Sequence, residues 1–271
     1  MSSSAADIDM QESKEKVADA ATGALDKTSD AIDDTKQAVK KQMKKTVSLS
    51  TKTAVAAGTI LALTSGFVNG ACVTGAFSAS QATAAVTGTW TNAAIAAAKG
   101  QNVRFLLLAK YLFSFMAGSA IAGLLVPEPV PFEVSNPKGT AASFGVGALA
   151  LSVAGIMAKS GGLASESILC LCFIANGIQN SLTSALTANL CRTTHFSGIT
   201  SDIGTFLGQA IRGNRNNILK LKVFPLLAMA FWSGSFIAYP LTKMFASGTL
   251  VGAGTVYAAF AATLGFLAMR N

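Results

Sequence analysis

Between Asn176 and Gly204 the sequence reads NGIQNSLTSALTANLCRTTHFSGITSDIG, a polar run in an otherwise apolar chain. It carries the only histidine, His195, together with Arg192 and Asp202, the one aspartate after the first 52 residues. An ionisable group at membrane depth is costly, so it persists where it pairs with another or lines a polar path. From Phe196 onward a helical period puts Gly198, Ser201, Asp202 and Thr205 on one face. Gln179 and Asn180, with Asn69 and Asn92 from earlier in the chain, are the expected partners of Asp202, each interhelical bond worth about 0.6–2 kcal/mol. Arg192 or His195 is expected close enough to hold Asp202 ionised. The expected polar site thus comprises Asn69, Asn92, Gln179, Asn180, Arg192, Thr194, His195, Ser197, Ser201 and Asp202, with Asp202 its charged or protonatable member. The competing reading of these residues is an interhelical clamp that fixes the fold, since buried ionic groups serve specificity without necessarily adding stability.

Such a site needs a membrane-embedded scaffold, and the composition supplies one. Of 271 residues, 51% are hydrophobic and 13% charged, where a soluble domain carries roughly 25% charged residues. The charge is unevenly placed. Residues 1–52 hold nine acids and nine lysines, so the net charge of +8 belongs wholly to the apolar remainder. Basic residues can mark nucleic-acid binding, but here they sit between apolar runs of about bilayer length, which makes topology the better explanation.

Other chemistries find little support. Cys170 and Cys172 lie two apart within an apolar run, neither a metal-binding nor a redox spacing. Cys72 and Cys191 fall at comparable points of the two halves, so a bridge is conceivable, but four buried thiols is the simpler expectation. With one histidine and no paired-carboxylate site, neither cofactor nor enzyme activity is expected.

The first 52 residues read as a separate charged tail. Leu25, Ile32 and Val39 recur at seven-residue spacing, giving a weakly amphipathic helix or a disordered segment. Its composition is similar to that of late-embryogenesis-abundant-type helices. Nine acids and the lack of an apolar core argue against a targeting peptide. Lys36, Lys40, Lys41, Lys44, Lys45 and Lys52 follow the last acid, which should hold the N-terminus on the cytoplasmic side.

Residues 53–271 read as an all-α, polytopic bundle. Apolar helices are expected at about 54–72, 81–98, 104–126, 140–157, 167–186, 196–212, 220–243 and 248–268. A spanning helix needs roughly 20 residues. The second and sixth are rich in Ala, Thr, Ser and Gly, which leaves two arrangements: eight crossings, or six with two re-entrant segments. Eight crossings place Lys99, Arg104, Lys159, Arg212, Arg215, Lys220 and Lys222 inside and the acidic 127–138 loop outside, the better match to the positive-inside rule. Lys110 is expected to snorkel, and Trp90 and Trp232 to be packing residues.

The two halves, about 54–157 and 167–268, echo each other. Gly66-x-x-Asn69 recurs as Gly177-x-x-Asn180 after 111 residues. Thr87-Gly88 and Asn92 recur as Ser197-Gly198 and Asp202 after 110, and Gly118-Ser119 as Gly234-Ser235 after 116. A repeat of four crossings would be parallel and one of three inverted. Small residues also recur simply because they let helices pack closely.

Gly177-Ile178-Gln179-Asn180, Arg192-Thr193-Thr194-His195 and Ser197-Gly198-x-x-Ser201-Asp202-x-Gly204 closely resemble, in order and spacing, the second-half motif of the YoaK-like membrane proteins, a domain-of-unknown-function family. Gly66-Phe67-Val68-Asn69 and Thr87-Gly88-Thr89 sit at that family's G-F-x-D and T-G-N positions, with Asn69 for the usual Asp and Thr89 for the usual Asn. The resemblance spans about 54–268 and implies a polytopic fold and a membrane location. The function expected from the residues is a small-solute transporter or channel, with the bilayer and a small polar or ionic solute as partners. The alternatives are a structural or partner-binding protein working through its tail, and a membrane-embedded enzyme.

Overall fold

The computed structural model describes residues 46–74, 77, 80–160, 165–245 and 248–270, so the expected helix at 12–45 lies outside the described residues. The described residues form eight helices: α1 (Thr51–Val73), α2 (Val86–Ala98), α3 (Asn102–Leu125), α4 (Pro137–Ser160), α5 (Ser165–Leu186), α6 (Phe196–Ile211), α7 (Ile218–Phe245) and α8 (Gly248–Arg270). Two short strands, β1 (Val47–Ser48) and β2 (Glu133–Val134), pair antiparallel. Local chemistry sets the starts. Ser50 caps α1 by accepting the Thr53 amide at 3.1 Å, and Asn136 accepts from Gly139 at 2.9 Å ahead of Pro137, a residue suited to the first helical position.

Among the described residues, six helices are long and apolar enough to cross a bilayer. At 1.5 Å per residue, α2 with 13 residues and α6 with 16 fall short of a hydrocarbon core of about 30 Å. This is the six-plus-two arrangement. Contacts between helices fix their directions. Gly58 faces Leu227, and a Cβ on Gly66 would collide with the Phe231 carbonyl, so α1 and α7 run parallel. Lys110 reaches Glu166 at 3.8 Å, and a Cβ on Gly118 would strike the Ile174 carbonyl, so α3 and α5 also run parallel. Phe144 stacks on Phe260 at 5.4 Å and Gly254 lies against Ser152, so α4 and α8 are antiparallel.

The β1–β2 pair joins the start of α1 to the α3–α4 connection, and the Phe132 amide donates to the Leu186 carbonyl at the end of α5. These segments, with the start of α7 and the end of α8, share what is called the strand end of the bundle. The other termini of the long helices share the far end. It follows that α2, between the end of α1 and the start of α3, enters and leaves at the far end. By the same logic α6 enters and leaves at the strand end. The eight-crossing assignment of loops therefore gives way: Lys99 and Arg104 lie opposite the 127–138 loop only across the bundle, and that loop shares the end of β1.

The principal packing pairs are α4 on α8, α1 on α7, α3 on α5, α4 on α5, α2 on α3 and α6 on α7. The larger core lies mainly between α3, α4, α5 and α8, with Tyr111 stacked on Phe173 at 5.2 Å. A smaller one joins α1 to α6 and α7 around Ile199, Phe224 and Leu227. Trp90 and Trp232 are 59% and 58% exposed, so both lie on the outer face, where Trp232 stacks on Phe236 at 5.2 Å.

Candidate functional site

Where α1 crosses α5, polar side chains meet without solvent. Ser65, Thr83, Asn176 and Gln179 are each 0% exposed. Ser65 Oγ donates to Asn176 Oδ1 at 2.8 Å, and Asn176 Nδ2 donates to Thr83 Oγ1 at 3.1 Å. Thr83 belongs to the non-helical segment before α2, so irregular backbone reaches the bundle interior there, shielded by protein. One turn further along α5, Gln179 Nε2 donates to the Leu61 carbonyl at 2.8 Å. Its Oε1 and the Oδ1 of Asn180 are buried without a partner. Buried acceptors are seldom left so, and these two are placed to take a water or another donor.

The motif at 188–204 builds the strand-end approach to α6. Ala188 and Asn189 hold positive φ, 48° and 62°, and turn the chain sharply after α5. Asn189 then accepts from Arg192 Nε through its carbonyl at 3.3 Å. Thr187 Oγ1 accepts the Cys191 amide at 2.9 Å, and Thr193 shares a hydroxyl contact with Thr183 at 3.2 Å. Burial pushes the Cys191 thiol up to about 11, against a smaller opposing pull from the Thr187 hydroxyl. All four cysteines are free and buried, so Cys72 and Cys191 do not bridge.

Asp202 meets Arg192, Nη2 to Oδ2 at 3.7 Å, with the two side chains 33% and 25% exposed respectively. Arg192 also lies 6.0 Å from the centre of the Phe224 ring. The His195 ring packs where a Cβ on Gly198 would stand, which explains glycine in this motif. Thr194 is buried, whereas His195, Ser197 and Ser201 are exposed.

The expected site residues thus fall into separate groups. Asn69, near the far end of α1, accepts the Ala84 amide at 3.0 Å. Asn92 is exposed on α2. Gln179 and Asn180 lie on α5, and Arg192, His195 and Asp202 gather at the strand end. Asp202 is held by Arg192, not by the four amides expected to meet it. Ser65, Thr83 and Asn176 were not singled out as site residues. A signal existed: Ser65 and Asn176 are 111 residues apart, the spacing of Gly66 and Gly177. Among the described residues no cluster of three His, Cys, Asp or Glu is placed to hold a metal.

A cavity of about 300 Å³ opens between α1, α4, α5 and α8, its walls including Gly58, Leu61, Phe144, Leu182 and Phe260. The lining residues lie in the strand-end halves of their helices, starting from Ala259 at the middle of α8, or in the adjoining segments at Leu49, Val134 and Thr187. Its exposed rim includes Thr53 on α1 and Ala259 and Thr263 on α8, so the mouth lies between those two helices.

Residues 57–267 match the family DUF1275, described as a protein of unknown function. The match covers most of the chain, which therefore belongs to that family. No curated protein and no solved structure matches it.

Proposed function

We propose that this DUF1275 protein is an alternating-access transporter built from two inverted halves, with its strand end at the cytoplasmic face. Five of the six principal helix pairings support the halves; the exception is α4–α5, whose counterpart α8–α1 is far less extensive. Exchanging α1–α4 for α5–α8 turns the α1–α7 pair into α5–α3, the α2–α3 pair into α6–α7, and returns α4–α8 to itself. Hydrogen bonds follow the same exchange. Ser235 Oγ donates to the Gly66 carbonyl at 2.8 Å, and Ser119 Oγ donates to the Gly177 carbonyl at 3.2 Å. Each half then contributes three crossings and one re-entrant helix, so the halves are inverted. Transporters of this kind place their sites at the interface of the repeats.

The observation that carries the proposal is the strand-end cavity. Among the described residues, the equivalent positions on α1 and α5 at the far end, Ala71, Cys72, Ile168, Leu169 and Cys172, are 4% exposed or less, whereas Leu149 and Ile156 on α4 are both 64% exposed. A cavity open at the strand end, with α1 and α5 closely packed at the far end, fits one state of an alternating pair. For orientation, Lys52, Lys138, Arg192, Arg212, Arg215, Lys220, Lys222 and Arg270 lie at the strand end, against Lys99, Arg104, Lys110, Lys159 and Lys243 at the far end. That excess favours a cytoplasmic strand end.

Cysteine accessibility in reconstituted vesicles tests this. A single cysteine at Thr53 should react with an impermeant thiol reagent from the strand-end side. One at Ala71 should react slowly from the opposite side. An Ala71→Cys thiol that stays inert for hours in a folded protein would sink the proposal.

A further inference from the structure

The strand-end cavity has the size of a small-molecule site, since such sites begin near 300 Å³. Its chemistry is one-sided. No charged residue lines it, and its only side-chain polar groups are five threonine hydroxyls. Each is already engaged. Thr140 donates to the Asn136 carbonyl at 2.8 Å, Thr183 to Gln179 at 2.9 Å, Thr187 to Thr183 at 2.6 Å and Thr263 to Ala259 at 2.8 Å. Thr53 shares its hydroxyl with Ser50 at 2.8 Å. What remains is hydrocarbon and the rings of Phe144 and Phe260.

An ion, sugar or amino acid entering this space would shed its water and find no donor and no opposite charge, a heavy cost in an apolar surrounding. A hydrocarbon-rich molecule gains roughly 25 cal/mol for each Å² it buries. The mouth between α1 and α8 suits such a molecule, because both helices are bilayer spans and a lipid-dissolved ligand reaches their seam directly.

We infer that the strand-end cavity binds an uncharged, hydrocarbon-rich small molecule or lipid chain that enters from the bilayer between α1 and α8. This deepens the transport reading, on which it rests for the ligand's role, and replaces the polar or ionic solute expected from the motif residues.

The test uses the full chain in phosphatidylcholine nanodiscs and an uncharged aryl diazirine as photolabel. Labelling should be saturable on peptides carrying Leu182 and Phe260 and fall at least tenfold with excess decanol, but not with choline or acetate. Ala57→Phe, which fills the cavity from α1, should cut it at least tenfold while labelling at the outward-facing Phe236 persists as a control for folding. Non-saturable labelling of the cavity peptides, or labelling indifferent to Ala57→Phe in a protein whose Phe236 labelling is intact, overturns the inference. Native mass spectrometry separates the sources: a co-purified lipid lost in Ala57→Phe identifies a membrane chain, and a lipid-free wild-type protein that still labels identifies a free apolar ligand. Either supports the class. If labelling behaves as expected yet Ala71→Cys accessibility never changes with decanol, the binding site stands and the transport reading falls.

Discussion

At the scale of single residues, the two polar groups differ in what they contribute. Asp202 and Arg192 are partly exposed and 3.7 Å apart, and such pairs are worth about 0–1 kcal/mol. Asp202→Asn should therefore leave the protein folded and lower its stability by less than about 1 kcal/mol, read as a thermal midpoint in detergent. Asn176→Ala is a different case. It removes two hydrogen bonds in a solvent-free place and strands Ser65 and Thr83, at about 1–3 kcal/mol for each group left unpaired. The midpoint should drop clearly, and an unchanged one would mean that the crossing of α1 and α5 rests on packing alone. Cys191 makes a third prediction. Thiolate is the reactive form, and a thiol near 11, buried beside Ala54, supplies little of it. Maleimide at pH 7.5 should leave Cys191 unmodified until detergent denaturation, with some labelling appearing as the pH passes 10.

At the scale of helices, glycine marks where backbones touch. Gly177 meets the Phe115 carbonyl and Gly66 meets the Phe231 carbonyl, so alanine at either forces a helix pair apart. Gly88 has open space around it. Gly177→Ala should cost more than about 1 kcal/mol, whereas Gly88→Ala should gain about 0.5–1 kcal/mol from helix propensity, both read from melting in the same detergent. The helices themselves were legible: the apolar run at 196–212 becomes α6 at Phe196–Ile211, and 54–72 becomes α1 at Thr51–Val73. The run at 81–98 shows where hydropathy stops informing. Its first residues, Gln81 to Ala85, are as compatible with helix as the rest. Yet Asn69 accepts the Ala84 amide and Asn176 donates to the Thr83 hydroxyl, so the helix begins only at Val86. Those competing partners lie 15 and 93 residues away, and no local pattern reveals them. The Asp202 pairing was half legible for a similar reason. Arg192 is close in sequence, while the distant amides depended on directions of α2 and α6 that composition does not encode.

At the scale of the molecule, direction follows from the return of α2 and α6 to the ends they leave. Short epitopes inserted after Val130 and after Gly100 should be accessible from opposite faces of sealed vesicles, with the Val130 site on the face of the chain's final residues. Eight crossings also put those two loops on opposite faces, but they put the Val130 loop opposite the final residues, so a third tag after Arg270 decides between them. The basic residues alone favoured eight crossings, because that arrangement sends the acidic loop away from the tail. The β1–β2 pairing overrides them by tying that loop to Val47.

Ser65 and Asn176 hold equivalent places in the proposed halves, and they touch each other. In a dimer of identical subunits, a residue on the twofold axis must face its own copy, since an isologous contact repeats itself. Two serines or two asparagines would then share that spot. A single chain is released from this rule: serine gives the proton, asparagine receives it and keeps its amide free for Thr83. The departure from symmetry at this one contact gives the molecule a handedness between its ends, so that its two end states need not be equal in energy even when nothing is bound.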